Sequence, residues 1–460
     1  MLAQFLLAAT LWNVAVDPSV ERGPIRPENA VNGGPTVRFD FRNREWRHAR
    51  IPMGRTHDMN HSWEFGGPHT LDVDAVFPDF DADENDPKNY DFFYTDQALD
   101  KMAECGTEPF FRLGPSIEGG PKKYHVHPPK DFAKWARICE HIVLHCNEGW
   151  ADGRRRNIRY WEIWNEPDLK SHALWTGDQA QFLELFKVAF RHLKGRFPDL
   201  KFGGPAFASP LAWKEVFLPF CRRENLALDF YSWHYYFTDP RKAGEKARAV
   251  RKLLDDNGFT RTESVFDEWN YVRGWSGGEW LYSRQVESAQ FNRKGAAFAA
   301  AVMSECQDAG VDWAMFYDTR AYGGMNILFE PVSHRPMKGY YPFYAWSRLR
   351  CDYGVQVAAT VDEPEEKGVP HGQLYVTAAK NARGDVAVWV ARYSDDNNVL
   401  DDRLVKIRLP KDLQGRRAVC HLTDDVHTYT EIPLDADADG ALELHLVPIS
   451  FVVVEIAARP

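Results

Sequence analysis

"IRYWEIWNEPDL", residues 158–169, is the stretch on which the reading of the fold turns. Its first seven residues are rich in aromatic and β-branched side chains, the composition of a strand. Asn165, Glu166 and Pro167 follow at once, so a carboxylate stands where strand gives way to turn. Alternation predicts that Tyr160, Glu162, Trp164 and Glu166 share one face. Pro167 disfavours helical geometry at the residue before it and is expected to hold Glu166 extended. A strand end followed by an Asn-Pro turn has the same pattern, so this run alone does not separate a site from a turn.

Working outward, similar runs recur. "NAVNGG", "ARIPMGRTH", "EPFFRLG", "LKFGGPA", "LDFYSWH", "ESVFDEW" and "VDWAMFY" read as seven further strands. Between them lie stretches with helical spacing of apolar residues. "TDQALDKMAECG" opens on Thr95 as a cap and closes on Gly106; "KDFAKWARICEHIVLHC", "DQAQFLELFKVAFRHLKG" and "QFNRKGAAFAAAVMSECQDAG" follow the same logic. Strand–helix alternation implies a parallel sheet, and eight such units fit a TIM-type barrel.

The pattern changes after about residue 352. "QLYVTAAKN", "DVAVWVARYSDD", "RLVKIRLP", "RAVCHLTDD" and "ALELHLVPISFVVVEIAA" are strands separated by turns. They predict an antiparallel β-sandwich. The apolar start "MLAQFLLAATLW" has no basic residue before Arg22, unlike a secretory leader, and reads as a buried strand of that same domain. The expected fold is therefore α/β: a (β/α)8 TIM barrel over 29–350, with an accessory β-sandwich from 1–28 and 351–460.

Composition narrows the partners. The 460 residues carry a net charge of −10, which argues against a nucleic-acid or anionic-membrane partner. Aromatics reach 14%, with 16 Trp, a surplus that suits stacking against flat ligands or sugar rings. The seven cysteines include no CxxC pair, and most read as buried free thiols. "YHVHPP" (124–129) has no companion metal ligands, and "DFDADEND" (79–86) and "DADADG" (435–440) lack the closing Glu of a calcium loop. With no phosphate-binding glycine fingerprint either, no metal and no cofactor is expected. The chain as it stands suits the cytoplasm, or a secreted or periplasmic location if a leader has been removed. Oligomeric state is not legible.

A second carboxylate gives the first its meaning. "SVFDEWNY" (264–271) ends another strand, with Glu268 placed as Glu166 is. Catalytic groups of such barrels stand at the C-terminal strand ends. Two carboxyls facing across the mouth are what cleavage of a glycosidic bond requires: one protonates the leaving group, the other attacks or activates water. If "NAVNGG" is the first barrel strand, Glu166 ends the fourth and Glu268 the seventh.

"WNEP" closing the fourth strand and "DEWN" closing the seventh, with "RTHD" (55–58) and "SWHYY" (232–236), resemble glycoside hydrolase family 39, the β-xylosidase and α-L-iduronidase group. The resemblance implies a retaining glycosidase in which Glu166 is the general acid/base and Glu268 the nucleophile. It implies that Asn165 holds the sugar 2-hydroxyl, that His57 contacts sugar hydroxyls, and that His234 and Tyr236 line the site near the nucleophile. Trp313 is read as a sugar platform or a barrel-core side chain. The carboxyl groups are expected roughly 5–5.5 Å apart, the retaining spacing. The substrate is then a carbohydrate, with β-xylosidase action as the first reading. The alternatives are arabinosidase, galactosidase or endo-acting polysaccharide hydrolase activity, and a non-catalytic carbohydrate-binding protein.

Overall fold

The computed structural model describes residues 11–36, 40–59, 71–118, 120–169, 174–275, 289, 291–320, 325–362, 372–434 and 436–457. Eight parallel strands close into a barrel: β2 (Ala30–Asn32), β3 (Met53–Arg55), β4 (Glu108–Leu113), β5 (Tyr160–Ile163), β6 (Lys201–Phe207), β7 (Phe230–Phe237), β8 (Glu263–Tyr271) and β9 (Trp313–Phe316). Ala30 pairs with Met315, and that register closes the ring. The strand count from sequence therefore holds, with β5 and β8 as fourth and seventh.

The helices form where their caps and spacing place them. Asp131 accepts from Lys134 N at the start of Phe132–Asn147, and Asp178 with Gln181 makes a full capping box for Gln179–Arg196. The helix Arg293–Ala309 starts on an Asn292 cap and stops at Gly310, whose φ of 75° only glycine adopts freely. The Thr95 cap is not observed. That helix begins at Phe93, and Thr95 is buried inside its first turn.

The remaining strands are β1 (Leu11–Pro24), β10 (Val355–Asp362), β11 (Gln373–Lys380), β12 (Val386–Tyr393), β13 (Arg403–Arg408), β14 (Ala418–Thr423), β15 (Thr430–Ile432), β16 (Leu442–Leu446) and β17 (Ser450–Ile456). They form one sheet in the order β15-β14-β17-β12-β11-β10-β1-β13-β16. The N-terminal strand joins it as expected, antiparallel to β10 and parallel to β13. Residues 1–10 of the expected N-terminal strand lie outside the described residues. Trp12, Val357, Val388, Val405, Leu444 and Val454 share one apolar core although their strands span the sheet, so the sandwich is a single sheet curled over itself.

β12 shows how this domain sits on the barrel. Val386, Val388 and Val390 face the sheet's own core, while Ala387, Trp389 and Ala391 belong to the barrel's cluster. Trp389 donates Nε1–H to the Ala300 carbonyl, 3.2 Å away on the helix Arg293–Ala309. A strand buried on both faces reads as an unbroken apolar run, which "VAVWVARY" is.

Candidate active site

Alternation along the barrel strands builds the site in layers. Ala30, Met53, Phe110, Tyr160, Phe230, Val265 and Met315 fill the interior. Two residues further along the same strands stand Asn32, Arg55, Arg112, Glu162, Ser232 and Asp267, all buried and all polar. Arg55 is the hub of this second layer. Its Nε donates to Glu162 Oε2 at 2.7 Å, Nη1 to Glu268 Oε1 at 2.7 Å and Nη2 to Asn165 Oδ1 at 2.6 Å. Asp267 Oδ2 lies 3.2 Å from Nε. Burial lowers the Arg55 guanidinium, but Glu162, Asp267 and Glu268 overcome it and raise it above its ordinary value.

A bulge delivers Glu268. Trp233 pairs with Phe266 but His234 with Glu268, which leaves Asp267 as the extra residue of β8. Two successive carboxyls can then both turn inward, as their shared contact with Arg55 requires. Simple alternation would have sent one of them out.

Glu166 arrives by a different route from the one expected. β5 ends at Ile163, and Trp164 and Glu166 adopt φ of 75° and 45°. Glu166 is therefore not held extended before Pro167, and the shared face with Trp164 is lost. Trp164 turns away to donate Nε1–H to the Leu174 carbonyl and packs edge-on against Trp175. Left-handed non-glycine residues cost energy, so something must hold them. Glu166 N donates to the Ala206 carbonyl at 2.9 Å. The Asp168 carboxylate accepts from Ala208 N at 2.9 Å and Ser209 N at 3.2 Å. Gly114, with φ of 155°, lets β4 lie against this turn: a Cβ there would sit 3.1 Å from Trp164 Cα.

The two glutamates meet at the mouth. One carboxyl oxygen of each and one His234 ring nitrogen all lie within 4.8 Å of one another. The two carboxyls therefore face one another across the mouth of the barrel. His234 Nδ1 is 2.7 Å from Glu166 Oε1 and 3.4 Å from Glu268 Oε2. Tyr236 donates its hydroxyl to Glu268 Oε2 at 2.6 Å. Burial works against charge on His234, yet the carboxylates of Glu268 and Asp267 raise it well above an ordinary histidine, which favours the imidazolium. Burial pushes the Glu268 carboxyl up to about 7; Glu166 adds to this, and His234, Arg55 and Tyr236 oppose it. The donors Arg55 and Tyr236 on Glu268 favour negative charge there. Glu166, His234 and Glu268 are also the group that could hold a metal ion among the described residues.

His57 joins them, with Nε2 3.8 Å from both Glu268 Oε1 and Asp58 Oδ2. Burial holds its imidazole well below the ordinary value, with Arg55 and Arg112 adding to the effect against Asp58. Trp313 does not join them. It stands at the start of β9, and its Nε1 reaches the Tyr160 hydroxyl at 3.1 Å, at the far end of the barrel from the glutamates. The sugar-platform reading of Trp313 is corrected: its strand position places it in the barrel floor. His125 is paired with Asp74 and His127 with Thr176.

Sequence reasoning missed Arg55, Glu162, Asp267, Asp58 and Tyr317 as parts of the site. Tyr317 donates to Asp58 Oδ2 at 2.6 Å beside His57. A charged residue inside an apolar barrel strand, as Arg55 is in "IPMGR", is the signal that could have found the first three.

Comparison with known proteins places this arrangement. A β-xylosidase of Caldicellulosiruptor saccharolyticus is 30% identical over 206 residues, 40% of this chain and 41% of that one. A β-xylosidase of Geobacillus stearothermophilus is 26% identical over 273 residues, 53% of this chain and 50% of that one. The matched stretches thus span half or less of these curated relatives. The crystal structure of a glucosidase from Croceicoccus marinus shares the fold with a TM-score of 0.76 at 21% identity, covering 98% of this chain and 100% of that one. The family model for glycosyl hydrolases family 39 matches residues 67–309, more than half of the chain, and the protein belongs to that family.

Proposed function

We propose that the protein is a retaining glycoside hydrolase of β-xylosidase type, with Glu268 as nucleophile and Glu166 as general acid/base. The observation that carries this reading is the approach of the two carboxyls to within 4.8 Å with His234 between them. In this mechanism Glu268, held by Arg55 and Tyr236, acts as the ionised nucleophile and Glu166 as the acid. Glu268 attacks the anomeric carbon while Glu166 gives its proton to the leaving oxygen. Esterification removes the charge of Glu268, and the Glu166 carboxylate left behind is stabilised by the His234 imidazolium 2.7 Å away. Glu166 then takes a proton from water, which releases the sugar with its configuration kept.

The substrate is a carbohydrate with hydroxyls to satisfy what the site leaves open. Among the described residues, His57 Nδ1, Asp58 Oδ1 and Asn165 Nδ2 are buried without a hydrogen-bond partner. Asn165 offers a donor for the 2-hydroxyl, since its Oδ1 is taken by Arg55. The similarity to two β-xylosidases supports xylosidase action. The test is a panel of aryl β-xylosides, glucosides, galactosides and α-arabinosides, with NMR of the first-formed anomer. Release of xylose with retained configuration is expected. Inversion, or no turnover of any member, sinks the reading.

A further inference from the structure

Beneath the glutamates that face the substrate lies a second pair of carboxyls that the reaction above does not use. Glu162 and Asp267 are both fully buried and both lie against Arg55 Nε, at 2.7 Å and 3.2 Å. Every Arg55 contact of Glu162 goes to Oε2. Glu162 Oε1 and both oxygens of Asp267 have no hydrogen-bond donor. Three donor-less oxygens on two ionised carboxylates would be costly at such a place. One proton between them removes the cost, because a protonated carboxyl donates to the other.

Among the described residues the surroundings remedy this only in part. On β7, Ser232 Oγ accepts from Ala206 N and keeps its O–H as a donor towards Glu162, while His234 Nε2 lies 3.5 Å from Asp267 Oδ1, a charge contact longer than a good hydrogen bond. On β2, Asn32 Nδ2 donates to the backbone carbonyl of Asp267 at 2.6 Å, not to its carboxyl. Arg112, opposite Glu162 in the β4–β5 register, reaches Asp72 instead. Gly203, opposite Glu162 on β6, has no side chain to give. On β8, Glu268 is itself an acceptor of Arg55.

We propose that Glu162 and Asp267 share one proton, and that this pair acts as a positioning element by leaving the Arg55 guanidinium free to hold Glu268 and Asn165. The inference rests on the glycosidase reading for its kinetic consequence, though not for the proton itself. Burial raises Glu162 to about 8 against the pull of Arg55, while Arg55 and His234 hold Asp267 below its ordinary value despite burial. Glu162 is then the donor and Asp267 the acceptor. With the proton in place, the pair sets one negative charge against Arg55. When it leaves, two charges compete with Glu268 for the same guanidinium, and the nucleophile loses its anchor. The alkaline limb of the pH–rate profile then carries this buried pair, which never touches substrate, alongside the general acid Glu166.

The test has two arms. In the first, kcat/KM on an aryl β-xyloside is followed against pH for the wild type, Glu162→Gln and Asp267→Asn. A glutamine keeps an oxygen for Arg55 and an N–H for Asp267 but cannot titrate. Its alkaline limb should move up by about tenfold or more in proton concentration. A folded Glu162→Gln with the wild-type limb overturns the proposal. The second arm needs no substrate and uses the protonated-carboxyl band in the infrared spectrum near neutral pH. One such band should vanish in Glu162→Gln and also in Asp267→Asn, because a lone carboxyl beside Arg55 ionises. Should one variant fail to fold, the other decides. No band lost in a folded variant overturns the proposal. An enzyme inactive on every glycoside that still loses the band refutes the glycosidase reading and leaves the shared proton standing.

Discussion

His234 Nδ1 lies 2.7 Å from Oε1 of Glu166, within hydrogen-bond distance, and the same nitrogen lies 3.4 Å from Glu268. One positive charge thus serves two carboxyls that must carry negative charge in turn. As charge passes from Glu268 to Glu166, the histidine need not move. This relationship gives the proposed double displacement a fixed electrostatic partner through both halves.

The two glutamates separate by chemistry. Glu268→Gly should lose turnover by on the order of 10⁴-fold or more on every substrate, because nothing replaces the nucleophile. Glu166→Ala should keep its first step on aryl glycosides with acidic phenols, which leave without protonation. Azide should restore turnover in Glu166→Ala and give the β-glycosyl azide from a β-linked substrate, while in Glu268→Gly it should give the opposite anomer. NMR of the azide products reads the roles, and exchanged anomers would mean exchanged roles.

Tyr236→Phe removes the 2.6 Å donor from Glu268. Hydrogen bonds to charged groups contribute about 1.5–3 kcal/mol, so kcat/KM should fall roughly 10- to 150-fold. The lost hydrogen bond also raises Glu268, so the acid limb of the profile should move to higher pH. An unchanged acid limb would show that Glu268 does not govern it.

Arg55 holds the site and part of the barrel interior together. Arg55→Leu leaves Glu162, Asp267 and Glu268 buried without their shared guanidinium, which should cost about 3–5 kcal/mol in urea unfolding. Arg55→Lys keeps a charge but cannot span Glu162, Glu268 and Asn165 at once. It should lose much more activity than stability. A fully active Arg55→Lys enzyme would remove the guanidinium from the account.

Glu28 offers a test of stability apart from catalysis. It is fully buried, and neither carboxyl oxygen has a partner. Burial raises it well above an ordinary glutamate, with Asp312 adding to the rise and Arg26 opposing it. A raised native value means stability is full below the unfolded value, about 4.3, and falls as pH climbs toward the native one. The loss reaches up to about 1.4 kcal/mol per pH unit. Glu28→Gln should lack this slope and gain on the wild type as pH rises from 5 to 8. Parallel unfolding midpoints across that range would contradict it.

Eight strand runs, the position of Glu166 and Glu268 at the fourth and seventh, and the switch to a β domain were legible because burial imposes a period on the sequence. The helical stretches were legible by the same period, but the one cap read from sequence, Thr95, was not the observed one, while Asn292, Asp131 and Asp178 emerged as caps only in the structure. Only the tertiary structure decided the rest. The left-handed turn at Glu166 is held by Ala206, Ala208 and Ser209 from the next strand, so nothing local reports it. The bulge at Asp267 exists only as a register between β7 and β8. Trp313 reads as an aromatic in a strand at either end of a barrel, and only closure places it in the floor. Arg55 draws together Glu162, Asn165, Asp267 and Glu268 from more than 100 positions along the chain away. Sequence determined which residues are periodic and which carry charge; the closing of the barrel determined which charges meet, because Coulombic and hydrogen-bond contacts depend on distance in space and not along the chain.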